Sequence, residues 1–181
     1  MTAVRTGVVV FAFALISLAP FAQATDASAP AAPGCGDPNT KFDVKTGGGP
    51  HPVELQPGKA TVYLIEDDSD FNSIPKPTTR IGVDGNWVGA THGNSYLYFF
   101  VDPGVHHLCA SWQRTVVMGK GHQTEAAHFF AEAGEAYYFA VKSLFFVEQP
   151  GQVDVSLAPL DSDEGQLLVK QYRWSTSQPK R

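Results

Sequence analysis

The sequence predicts an all-β fold, an antiparallel β-sandwich with one C-terminal helix. Short runs rich in β-branched and aromatic residues recur along the chain, among them "ATVYLIE" and "SYLYFFV". Tight-turn signals separate them, such as Asp84-Gly85-Asn86 and Asp102-Pro103-Gly104. One stretch alone, "DSDEGQLLVKQY", carries a helical signature. Short strands spaced by regular turns mark a sandwich or barrel.

Residues 1–24 read as a signal peptide. Arg5 gives a positive start, "GVVVFAFALISLAPF" an apolar run, and Ala22-Gln23-Ala24 the small residues of a cleavage site. The run falls short of the roughly 20 residues a membrane span needs, so no transmembrane segment is expected. Residues 25–40, opening with "TDASAPAAPG", form an Ala/Pro/Ser-rich linker. The sandwich is assigned to residues 41–175 and a polar tail to 176–181.

Within the domain, "KFDVKT" alternates as a first strand and "GGGPHP" is loop. "ATVYLIE" is the first strong strand. "DDSDFNSIPKPT" breaks the pattern with acids and prolines, and Asp67-Asp68 there read as solvated loop acids. "TRIGV" and "WVGAT" flank Asp-Gly-Asn as a hairpin. "SYLYFFV", the Asp-Pro-Gly turn and "VHHLCASWQ" follow, then an irregular loop, "RTVVMGKGHQT". Two strands are read around Ala133-Gly134-Glu135, and "VDVSLAPL" is another. "FFVDPGVHHLCA" and "FFAEAGEAYYFA" echo one another as two successive hairpins of the same register, with Gly85, Gly104 and Gly134 at turn positions that suit glycine. The helix is expected to start at Asp161 or Ser162, with Asp163 and Glu164 favourable against its dipole. Its apolar stripe is read as Leu167, Leu168 and Tyr172, and it is expected to lie on the sheet.

The net charge of −5, with 13 Lys+Arg against 18 Asp+Glu, argues against nucleic acid or an anionic membrane as partner, since both demand clustered cations. The two cysteines, Cys35 and Cys109, are expected to pair in an oxidising compartment. Lipidation of Cys35 is the alternative. Its preceding "APG" lacks a leucine-type residue and it lies well past the apolar run, which argues against it.

No motif assigns catalysis. There is no Gly-x-Ser-x-Gly elbow, and "GKGHQT" lacks phosphate-loop spacing. His106 and His107, as neighbours on a strand, face opposite sides. His122, Glu125 and His128 are spaced by three, and a strand there puts Glu125 opposite both histidines. No metal or cofactor is therefore assigned. The tyrosines are more informative: Tyr63, Tyr96, Tyr98 and Tyr138 fall on strands with Leu64, Leu97 and Phe139 alternating, so one sheet face carries apolar rings with polar tips. That face could bind a ligand; the simpler reading is that the helix and Trp174 cover it.

"GKATVYLIED", "RIGVDGNWVGATHGNSYLYFFVDPGVHHL" and "GEAYYFAVK" together resemble a bacterial exported family, domain of unknown function 2846, over Lys59 to Leu160. The hairpin pattern is also similar to PEGA-type surface β modules. The resemblance implies a β-sandwich in the bacterial envelope, often lipid-anchored, and carries over no catalytic residue. The expectation is an exported, non-catalytic module of the periplasm, cell envelope or extracellular space that binds an envelope protein or glycan. A metal- or small-molecule-binding periplasmic protein is the alternative, and a hydrolase ranks last.

Overall fold

The structure is a computed structural model that describes residues 35–49, 51–69, 76–114, 122–145 and 153–181. The signal peptide with its cleavage site, the linker up to Gly34 and most of the "RTVVMGKGHQT" loop lie outside the described residues.

Among the described residues, ten strands form two sheets, with one helix. The strands are β1 (Phe42–Thr46), β2 (Ala60–Glu66), β3 (Thr78–Val83), β4 (Asn86–His92), β5 (Ser95–Val101), β6 (Gly104–Trp112), β7 (Thr124–Ala131), β8 (Ala136–Phe145), β9 (Val153–Leu160) and β10 (Arg173–Pro179). The helix α1 (Ser162–Gln171) lies between β9 and β10. One sheet has the order β1-β10-β5-β2-β8-β9, the other β4-β3-β6-β7. Pairing is antiparallel except at β10–β5 and β2–β8.

Strand alternation builds the core. Val62 and Leu64 of β2, Leu97 and Val101 of β5, Phe139 and Val141 of β8, and Val153 and Val155 of β9 point inward from the larger sheet. Ile81 of β3 and Leu108, Ala110 and Trp112 of β6 meet them from the smaller one. The interleaved residues of the larger sheet do not face water freely: β2 is buried at six of its seven positions. A second apolar layer therefore covers its outer face, with Ile65, Tyr96 and Tyr138 at its centre.

The β3–β4 hairpin forms as read. Val83 pairs with Asn86 across a two-residue turn, where Asp84 (φ 50°) and Gly85 (φ 80°) take the left-handed conformations of such turns. The other two turns differ from expectation. After Val101 and after Ala131 the chain crosses from one sheet to the other, because β5 pairs with β2 and β10 while β6 pairs with β3 and β7, and β8 pairs with β2 and β9. These are corners rather than hairpins. The reason is burial: each strand has its apolar face in the same core, so folding one strand over the other face to face joins those faces. The left-handed glycine persists, with Gly104 at φ 138° and Gly134 at φ 85°.

Two segments without a strong sequence signal are structured. Residues 176–179, read as polar tail, complete β10, which pairs along the length of β1 and touches β5 at Arg173 and Trp174. Residues 35–40, read as linker, lie across the smaller sheet. The Cys35–Cys109 disulfide fixes them, with Cα atoms 5.4 Å apart and a sequence separation of 74. In the chain-entropy treatment such a loop is worth about 4 kcal/mol. Trp87 Nε1 donates to the Asp37 carbonyl (2.8 Å), and the Arg80 guanidinium donates to the carbonyls of Pro38 (2.8 Å) and Thr40 (3.0 Å) while lying 4.6 Å from the Trp87 ring centre.

Candidate functional site

The four tyrosines share the outer face of the larger sheet, and register arranges three of them in a row. Tyr63 of β2 lies opposite Tyr98 of β5 on one side and Tyr138 of β8 on the other. Tyr63 stacks on Tyr138 with ring centres 4.8 Å apart and planes 10° apart, and stands 5.9 Å from Tyr98. Phe100 follows Tyr98 along β5 on the same face, edge-on to it at 5.9 Å. Tyr96 lies one step along β5 and is fully buried.

Two covers close parts of this face. The helix covers the Tyr138 end: Gly165 is its buried residue, and Leu168, Val169 and Tyr172 pack with Tyr138 and Ile65. Leu167, expected in the stripe, is 52% exposed, so Gly165, Leu168, Val169 and Tyr172 form the face instead. Gly165 has no side chain, which lets the helix backbone approach the sheet closely. At the other end His51 donates its backbone N–H to Tyr96 Oη (2.8 Å) and lays its ring 3.8 Å from Trp174. Tyr63 and Tyr98 remain half-buried between the covers, and among the described residues neither hydroxyl has a hydrogen-bond partner. Burial, reinforced by Tyr138, Tyr96 and Tyr98, pushes the Tyr63 phenol up to about 12. Burial likewise raises Tyr138. Tyr63 and Tyr138 therefore present neutral hydroxyls at physiological pH.

The acids beside this face are not solvated, contrary to the reading of Asp67 and Asp68 as loop acids. Glu66 and Asp68 are 0% and 1% exposed, and Asp67 between them is half-buried. Alternation sends Glu66 and Asp68 inward, where Glu66 accepts from Thr79 Oγ1 (2.7 Å) and Asp68 from the Ser143 N–H (3.3 Å). Among the described residues, one oxygen of each carboxyl, Glu66 Oε2 and Asp68 Oδ2, has no hydrogen-bond partner. Burial, with Asp68 adding to it, raises Glu66 well above the usual carboxylate range, and burial raises Asp68 too. Asp67 points outward. It accepts from Tyr172 Oη (2.6 Å) and Ser69 Oγ (2.7 Å), and pairs with Lys142 Nζ (3.2 Å). Burial raises its pKa, but these hydrogen bonds outweigh burial and hold the carboxyl at about 2. Asp67 thus ties the end of the helix to the sheet.

The histidines are separated by function of place. His106 faces inward, its Nδ1 2.7 Å from Asp84 Oδ2 and its Nε2 2.7 Å from the Asp102 carbonyl, so it braces the corner after β5. His107 faces outward, as neighbours on a strand must. The β7 strand places Glu125 on the opposite face from His128, and His122 lies ahead of the strand, its N–H bound to Asp154. His92 Nδ1 contacts both the Pro77 carbonyl (3.0 Å) and Thr78 Oγ1 (3.2 Å). A carbonyl can only accept, so that nitrogen carries the proton and cannot act as base toward the threonine. Among the described residues no group of three or more His, Cys, Asp or Glu is placed to hold a metal ion. A cleft of about 290 Å³ between β7 and β8 is lined by Phe129, Tyr137, Phe139 and Leu160.

Among the described residues no helix is long and apolar enough to cross a membrane. No family model matches the chain, and no curated protein matches it.

Proposed function

We propose that this chain is an exported, non-catalytic β-sandwich module of the bacterial envelope that binds a partner protein through the uncovered middle of the tyrosine row. The observation that carries the reading is the pair Tyr63 and Tyr98: half-buried, flanked by covered aromatic neighbours, with hydroxyls unengaged among the described residues. Tyrosine and tryptophan anchors of this kind dominate protein interfaces, where the ring supplies apolar area and the tip a hydrogen bond. A glycan is the competing ligand. Sugars stack on open ring faces, and Tyr63 has a ring on each side, Tyr138 and Tyr98, which favours the protein.

The test is quantitative capture of envelope proteins by the wild type and by Tyr98→Ala, with thermal unfolding to confirm the fold. A specific partner should be lost at least tenfold in Tyr98→Ala and retained in Phe130→Ser on the other sheet. Equal capture by wild type and Tyr98→Ala would overturn the reading. Tyr98-dependent binding of purified envelope glycan, without a protein partner, would replace the protein by a sugar.

A further inference from the structure

We propose that His107 and His128 form a divalent metal site on the outer face of the smaller sheet. The two lie directly opposite one another across β6 and β7. Both side chains are exposed, and their ring centres are 6.3 Å apart with planes inclined at 36°. Directly opposed residues of an antiparallel pair hold their Cβ atoms about 4.5–5.5 Å apart, so the rings rise from neighbouring points and can converge on one ion.

The distance fits. With metal–nitrogen bonds of about 2.0–2.1 Å and roughly 1.1 Å more to each ring centre, two imidazoles sharing an ion stand about 5.2 Å apart at a tetrahedral angle and about 6.4 Å apart when linear. The observed separation lies at the wide end, and rotation of two exposed side chains by about 1 Å reaches the tetrahedral value. The Asp84 carboxylate acts on His107 electrostatically, but among the described residues no hydrogen bond holds either ring. His106 and His92 have ring nitrogens committed to hydrogen bonds, whereas among the described residues neither ring of the pair has a hydrogen-bond partner. The flanking pairs on the same face, Val105–Phe130 and Cys109–Ala126, offer neither a competing cation nor a hydrogen-bonding side chain.

Imidazole nitrogen suits zinc, nickel and copper(II), not the oxygen-seeking calcium or magnesium. Two protein ligands leave further positions to solvent, so the site is a surface capture site rather than a closed structural centre. It is independent of the tyrosine row, which lies on the other sheet.

The test is a titration of the full chain with zinc ions, read by calorimetry and by ¹⁵N shifts of the histidine rings. One zinc per chain should bind, with the ring nitrogens of His107 and His128 moving together. His107→Asn and His128→Asn should each weaken binding at least tenfold while His92→Asn leaves it unchanged. Because both rings are exposed, the variants should keep the wild-type unfolding midpoint. Zinc binding that survives in both variants, or ring shifts confined to other histidines, would overturn the site. One zinc per two chains, with dimers in sedimentation, would overturn the single-chain site in favour of four histidines from two copies.

Discussion

Gly165 of α1 rests on the ring of Tyr138, so close that a methyl group at that position would overlap the tyrosine, with its Cβ and Cδ1 only 2.5 Å away. The helix backbone is thereby seated on the sheet at the one residue where no side chain intervenes. Gly165→Val should lift the helix and cost about 1–3 kcal/mol, in the range of overpacked cores. Leu167→Ser, on the exposed side, should change stability by less than about 0.5 kcal/mol. Chemical denaturation of both variants checks this, and equal midpoints would refute the docking.

Asp67 and Glu66 should give stability opposite pH dependences. The Asp67 carboxyl, held at about 2 against an ordinary 3.8, binds fewer protons folded than unfolded. Its contribution, on the order of 2 kcal/mol by linkage, is present above pH 3.8 and is lost as pH falls toward 2. Tyr172→Phe should remove part of it, destabilising the protein by about 1 kcal/mol at pH 7 and by less near pH 2. Unfolding curves across that window decide it.

Glu66 runs the other way. Its folded pKa is raised, so the folded state holds the proton longer and stability falls as pH rises above 4.5, the ordinary value. Glu66→Gln should therefore gain stability on the wild type as pH increases. A constant difference between the two proteins from pH 4 to 9 would show that folding leaves the Glu66 carboxyl unshifted.

The disulfide should matter to fold more than to binding. Cys35→Ser should lower stability by up to about 4 kcal/mol and loosen the Asp37 contact with Trp87, seen as a red-shifted tryptophan emission. Peptide mapping without reduction should recover Cys35 linked to Cys109. Free alkylation of both thiols would refute the bond.

The corners at Gly104 and Gly134 should likewise be structural. Valine at either position must adopt a positive φ, at about 1–3 kcal/mol. Unfolding midpoints should drop while capture of a Tyr98-dependent partner persists. Stable variants that lose that partner would make the corners a recognition surface.

How much of this was readable before the fold was known depended on locality. Strands such as Ala60–Glu66 and Ser95–Val101 announce themselves by apolar alternation, and the outward tyrosines follow from the same period. The strand Arg173–Pro179 does not, because "RWSTSQP" has few apolar residues and its place is set by partners distant in sequence. The corners carry the same turn residues as hairpins, and only pairing distinguishes them. Asp68 looks like a loop acid, and nothing local marks Glu66 as buried, because the serine and threonine that receive them come from other strands. The His107–His128 pair needs the β6–β7 register, which no local pattern supplies.

The pairing of β1 with β10 also has a kinetic side. The strand partners of β1, from Pro179 opposite Phe42 to Ser175 opposite Thr46, all lie at the far end of the domain's sequence. The first strand can therefore find its sheet partner only once residues 173–179 are in place. A chain stalled before Arg173 would leave that edge ready to join a neighbouring molecule instead. Closure of the larger sheet is thus a late event, and its rate is limited by a search between the two ends of the domain rather than by any local turn.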